Sequence, residues 1–206
     1  MRIKALATAL GASALLAVSA SAANAATVSG NGSALSGSNS GLGLHVFKIG
    51  TALTASCNAT VSGAGVVGPV ASKTFTIAYS GCTVNITGLN FPGTVTNSPN
   101  WNLNAAPGTF NASTGATTGG QIITAGTTTI SLSGSSCVVN VPSGTTVAAS
   151  AQNSPAGSGP YTGTQINVNQ TTGIAYTASS CPGVPASGTN ASYVGKVNVN
   201  NAWGSL

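Results

Sequence analysis

From residue 44 onward, apolar and polar positions alternate along the chain. Phe75, Ile77 and Tyr79 point one way, and Thr74, Thr76 and Ala78 the other. The same two-residue period recurs at Val84/Ile86, Trp101/Leu103, Ile130/Leu132, Cys137/Val139/Val141, Ile166/Val168, Ile174/Tyr176 and Tyr193/Val197/Val199. Each run is short and bounded by Gly, Pro, Asn or Ser, the pattern of half-buried strands. Thr and Val, which suit a pleated surface, are abundant. Beyond the N-terminal stretch no segment holds a 3.6-residue period. The chain therefore reads as all-β: an antiparallel β-sandwich or open barrel of roughly nine to twelve short strands.

The alternation also sets the expected domain organisation. Residues 44–206 read as a single β domain. Residues 26–43 are rich in Gly, Ser and Asn and read as an extended or flexible lead-in. The low-complexity stretch from Ala106 to Gly120 separates two halves. It reads as a long loop within one domain, with a linker as the alternative. Ahead of all this, Arg2 and Lys4 precede an apolar stretch over residues 5–20, too short to span a bilayer. Ala23-Asn24-Ala25 forms a small-x-small site, so residues 1–25 read as a secretory signal peptide and the mature chain is expected to start at Ala26. No transmembrane segment is expected after its removal.

Composition narrows the chemistry sharply. The 206 residues include no Asp or Glu, five Lys or Arg, and one His. Paired-carboxylate hydrolysis is excluded, and so is a Ser-His-Asp triad. Hard-oxygen metal sites lose their main ligands. Past residue 25 the only cations are Lys48, Lys73 and Lys196, so the pI near 9.3 reflects missing acids and not a basic patch. Three scattered lysines do not make a nucleic-acid footprint, and no nucleic-acid partner is expected.

Four cysteines, Cys57, Cys82, Cys137 and Cys181, suggest two disulfides in an exported chain. Three pairings are open. Cys57–Cys82 with Cys137–Cys181 is favoured because sequential pairing closes the shorter loops. No pair has C-x-x-C spacing, so neither a metal nor a cofactor is expected. Val, Ile, Leu and Phe make up 37 of the 181 residues from 26 to 206, so the core is thin and the disulfides support it.

Each remaining candidate has a bland reading that prevails. Gly63-Ala64-Gly65-Val66-Val67-Gly68 matches a nucleotide-binding glycine pattern, but Pro69 follows at once and no acid exists, so it reads as a turn between strands. His45, the lone imidazole, reads as a surface or edge residue. A Ser–Lys dyad on Lys48, Lys73 or Lys196 has no supporting motif. Trp101, Trp203, Tyr161, Tyr176 and Tyr193 read as packing residues, with an apolar or sugar-binding surface as the alternative. Glycosylation sequons at Asn58, Asn85, Asn111, Asn169 and Asn190 arise readily in such a composition. No catalytic residue is assigned.

Low net charge with high β propensity favours self-associating strands. Residues 26–56 are the expected donated strand. The Ala26-Thr27-Val28 start, Ser56-Cys57-Asn58-Ala59-Thr60-Val61, the Cys181-Pro182-Gly183-Val184-Pro185 turn and Thr189-Asn190-Ala191-Ser192-Tyr193-Val194-Gly195 together resemble the PraB family of small exported bacterial proteins, protein activators of alkane oxidation. Where such proteins carry a Leu-Pro-Trp turn, this chain has Asn90-Phe91-Pro92-Gly93. The resemblance implies a non-catalytic extracellular role at a cell surface, in a biofilm, or at a hydrocarbon–water interface, with hydrophobic surfaces as partners. From composition alone, the acid limb of the stability curve is expected to be nearly flat, since no carboxylate titrates near pH 4.

Overall fold

The structure, a computed structural model, describes residues 24–28, 32–97, 100–154 and 162–200. Residues 1–23 of the expected signal peptide, with Tyr161 and Trp203, lie outside the described residues. Those that are described form fourteen strands in one antiparallel sheet. They are β1 (Asn24–Ala25), β2 (Leu35–Ser38), β3 (His45–Ile49), β4 (Leu53–Gly63), β5 (Ser72–Ile86), β6 (Leu89–Asn97) and β7 (Trp101–Asn104), followed by β8 (Thr109–Asn111), β9 (Ala116–Thr124), β10 (Thr128–Leu132), β11 (Val138–Val141), β12 (Thr146–Ser154), β13 (Gly163–Ser179) and β14 (Ser187–Val199).

Fourteen segments exceed the nine to twelve expected, for a geometric reason. Several are halves of one bent strand. Asn97 faces Thr128 and Trp101 faces Thr124, so β6/β7 and β9/β10 keep one register through their bends. Val141 faces Thr128 and Thr146 faces Ile123, so β9/β10 and β11/β12 do the same. Counting bent pairs once and setting aside the short β1 and β8 gives eight long staves: β2/β3, β4, β5, β6/β7, β9/β10, β11/β12, β13 and β14. Each pairs with the next in chain order. The last, β14, pairs back onto both β2 and β3. The sheet is an up-and-down barrel closed on itself, which removes the long exposed edges of an open sheet.

Alternation decides what faces inward. Phe75, Ile77, Val84, Ile86, Trp101, Leu103, Ile130, Leu132, Val139, Ile166, Ile174 and Val197 are all buried. Eight staves leave an interior that side chains alone fill. Large rings at Phe47, Phe75, Trp101 and Tyr193 are balanced by small inward residues at Ala55, Ala59, Ala149, Ala151 and Ala191. The outer positions of β4 and of the first half of β13 are polar and uncharged: Thr54, Ser56, Asn58, Thr60 and Ser62 on β4, and Gln165, Asn167 and Asn169 on β13. A lipid-facing barrel carries its apolar band outside, the reverse of this arrangement. No helix among the described residues is long and apolar enough to cross a membrane.

The expected lead-in is part of the wall. Within residues 26–43, Ala26, Val28 and Leu35 are buried, and β2 hydrogen-bonds to β4 on one side and β14 on the other. The stretch over residues 106–120 is a β8–β9 hairpin and not a loop between halves. Gly63 ends β4, and residues 64–71 link it to β5 as an extended connection rather than a tight turn, with Val70 pairing with Val28 and the Val66 carbonyl accepting from the Gly32 amide.

Both disulfides have the expected pairing. Cys57–Cys82 links β4 to β5, and Cys137–Cys181 links the start of β11 to the end of β13. Such bonds belong to a protein that folds in an oxidising compartment. The double substitution Cys137→Ala with Cys181→Ala is expected to lower unfolding free energy by about 2–4 kcal/mol. Denaturant titration of wild type and variant, with Cys57–Cys82 intact in both, checks this; no change in midpoint would contradict it.

Candidate functional site

The chain's single histidine lies inside the barrel and not on a surface or edge. His45 is 1% exposed. It opens β3 in phase with Phe47 and Ile49, so the two-residue period turns all three inward. Its neighbour across the closing seam supplies the room. A Cβ on Gly195 of β14 would lie 2.4 Å from the imidazole Nδ1, so only glycine lets the ring sit there.

Hydrogen bonds fix the ring's protonation. The Lys196 carbonyl lies 3.1 Å from Nε2, and a carbonyl only accepts, so Nε2 carries the proton. Nδ1 is then the acceptor, and the Tyr193 hydroxyl donates to it at 2.5 Å. With its proton committed, Tyr193 accepts from the Tyr79 hydroxyl at 2.9 Å. The Asn97 amide extends the chain to Tyr79 and also donates to the Ile77 carbonyl at 3.1 Å, while its oxygen accepts from Thr128. One directional file of donors thus runs from Asn97 through Tyr79 and Tyr193 to His45 and the Lys196 carbonyl.

Aromatic packing locks the file in place. Phe47 stacks on Tyr193 with centroids 4.3 Å apart and meets Tyr79 edge-on at 5.4 Å. Trp101 meets Tyr193 edge-on at 5.4 Å. Such pairs add about 0.5–1.5 kcal/mol each beyond their area. Beside them lies a void of about 20 Å³, room for about one water and no more.

Burial governs the electrostatics. Desolvation holds the His45 pKa below its ordinary 6.5, outweighing the Lys196 carbonyl, which raises it. Desolvation pushes both phenols up, Tyr79 further through the charge and hydroxyl of Tyr193. At neutral pH every group in the file is uncharged. The file has no attacking group: the Lys73 ammonium donates to the Gly65 carbonyl at 3.1 Å, and Lys48 and Lys196 face outward. The arrangement orders protons and ties together four staves, β2/β3, β5, β6/β7 and β14. Among the packing residues, Trp101, Tyr176 and Tyr193 are all buried. Of the sequon asparagines, Asn58, Asn111, Asn169 and Asn190 are exposed and Asn85 is half-buried.

Main-chain pairing lapses along two seams beside this core. Between β5 and β6/β7 it stops over residues 76–82, and between β11/β12 and β13 over residues 169–176. Side-chain amides bridge the gaps. Asn97 reaches the Ile77 carbonyl, Thr76 donates to Asn100 at 2.7 Å, and the Gln170 oxygen accepts from the Ala148 amide at 3.0 Å. Periodicity gives no sign of these bridges, since Asn97, Asn100 and Gln170 read as turn or surface residues.

His45 replaces the flat acid limb with a sloping one. The unfolded chain binds a proton at the imidazole as pH falls through 6.5, whereas the folded chain resists until the lower folded-state pKa. Stability is therefore full above 6.5 and falls below it, by at most about 1.4 kcal/mol per pH unit for one proton. Thermal midpoints from pH 8 to pH 4 should show this limb, and His45→Gln should flatten it. On the alkaline side both phenols hold their protons more tightly when folded, so stability falls as pH rises past about 10. Tyr193→Phe, which strands Nδ1 and the Tyr79 hydroxyl, is expected to lower unfolding free energy by about 1–3 kcal/mol in denaturant titration.

Comparison of the chain with protein-family models, with curated proteins and with solved structures gives no match in any of the three.

Proposed function

We propose that the chain is a non-catalytic extracellular protein of the cell surface or biofilm, structural or adhesive in role, whose copies assemble by β-strand addition. The observation that carries this reading is the division of the barrel's chemistry. Its interior is filled, and its one imidazole is committed to hydrogen bonds within that filling. Its exterior, among the described residues, is mostly hydroxyls and amides, with only three lysines and a few exposed large apolar side chains. Such a wall meets other neutral polar surfaces without desolvating charge. It also lacks the charges that keep neighbouring β-proteins apart. Export through the signal over residues 1–25 brings the chain to the oxidising compartment its disulfides need.

A second reading has its own observation. Leu89 faces Ile86 and Phe91 faces Val84 across the β5–β6 hairpin, so all four share one face. Ile86 and Val84 are buried, yet Leu89 is 63% and Phe91 38% exposed. This apolar lip suits contact with a hydrophobic substrate, the role implied by the PraB resemblance.

Size-exclusion chromatography with negative-stain electron microscopy on oxidised residues 26–206 tests the first reading. Filaments whose mass grows with protein concentration are expected. Monodisperse monomers at every concentration would overturn it. If those monomers also partition to oil droplets, and Leu89→Ser with Phe91→Ser abolishes the partitioning, the second reading takes its place.

A further inference from the structure

β2 differs from every other part of the wall in how it is held. Leu35 faces Gly63 and His45 faces Cys57, so ten residues of stave β2/β3 are matched by only six of β4. On the other side, Ser38 faces Asn198 and Val46 faces Val194, eight residues against four. Against both neighbours the stave carries four surplus residues, all in the link between β2 and β3. Asn39 ties that link to the barrel, and the link's own turn is closed by the Leu42 amide donating to the Asn39 carbonyl and the Asn39 side-chain amide donating to the Gly43 carbonyl. Asn39 is buried; its main-chain amide donates to the Ala59 carbonyl, and its side-chain oxygen accepts from the Ala59 amide. Residues 40–44 lie largely exposed, with Gly41 and Gly43 at φ of 75° and 88°.

The two halves of the stave are anchored unequally. β3 carries His45 and Phe47, which join the buried file and the aromatic stack. β2 carries one large apolar side chain, Leu35, and meets β14 at two residues. The disulfides deepen the contrast: one joins β4 to β5 and the other β11 to β13, and neither touches stave β2/β3 or the seam that closes the barrel. Covalently, β2 reaches β3 through residues 39–44; on its other side the chain runs back to Ala26, Val28 and Gly32, whose amides donate to the Gly108, Val70 and Val66 carbonyls, with no disulfide on either side.

The seat β2 occupies is shaped for it alone. A Cβ at Gly37 would fall 2.3 Å from the Asn198 carbonyl oxygen, so β14 admits a strand with glycine at that register. Asn200 completes the fit, accepting from the Ser36 amide at 2.9 Å and donating to the Ala34 carbonyl at 2.8 Å. Beneath lies an apolar floor that includes Val61, Phe75, Ile166 and Val199. An empty seat would bare this floor and two strand edges together, a state that demands an occupant of the same sequence.

Resting on the assembly reading above, we propose that β2 is the exchangeable strand: in assembled material, β2 of one copy, carrying with it the residues ahead of it, fills the seat between β4 and β14 of a second copy. The link over residues 40–44 straightens to span the two barrels. β3 stays in its own barrel, so the donated segment is shorter than the residues 26–56 expected from sequence. A closed barrel offers no free edge, and exchange of a strand already matched to its seat needs none.

The test uses the outward pair Ser38 and Thr60, which face each other across β2 and β4. Ser38→Cys and Thr60→Cys proteins are made separately, mixed, allowed to assemble and oxidised, and the 38–60 peptide link is sought by mass spectrometry. A disulfide joining two different chains is expected in the assembled fraction. A second variant carries both cysteines in one chain, which locks β2 in its own barrel, and should show loss of filaments. Filaments without the inter-chain link, or filaments from the locked variant, would overturn the exchange while leaving assembly intact. Absence of both filaments and links would overturn the two together.

Discussion

The fold depends on one act of closure, the pairing of β14 with stave β2/β3. Without it, eight staves with almost no charge would present two bare edges, and such edges pair with whatever strand they meet. Natural sheets blunt their edges with lysines, prolines and bulges. This chain has three lysines past residue 25, so closure takes over that task. The closing strand β14 also brings Tyr193 and Gly195 to the seam, and β3 brings His45 and Phe47. The seam is consequently where the barrel's main polar cluster and its tightest ring stack meet.

The missing carboxylates shape the interior as much as the surface. A buried imidazole is usually steadied by an acid, but here the partners are a phenol and a backbone carbonyl. The file is neutral throughout, which avoids burying a charge with nothing to pair it. Its order is set at one end by a carbonyl that only accepts, and that order passes through two hydroxyls to an amide on the next wall. The same reliance on amides and hydroxyls closes the two seams where the ladder lapses. Asn, Gln and Thr thus do inside the wall what ion pairs do in more charged proteins.

Much of this was legible in the sequence. Alternation identified the inward positions of most strands, because a strand's period of two leaves little choice once one face is buried. Cysteine spacing indicated the disulfide pairing. His45 was misread although its signal was present: it stands in phase with Phe47 and Ile49, and parity alone would have turned it inward. The prior that a lone histidine sits at an edge overrode that. The place of β2 was not legible. Only Leu35 marks it as buried, and Gly37 suggests slack where it serves close contact. Strand number was overcounted relative to staves and undercounted relative to segments, because bends near residues 125–127 and 142–145 break the alternation without breaking the register. The amide bridges were illegible because their partners are set by tertiary geometry alone.

The central claim is that the barrel is closed by its first stave. Residue-resolved amide hydrogen exchange on the oxidised protein addresses it directly. Closure predicts that amides of β3 and of residues 191–194 in β14 exchange only through global unfolding, as slowly as those of the β4–β5 pair. Fast exchange at β3 and β14 with β4 and β5 still protected would mean an open sheet, and would contradict the account.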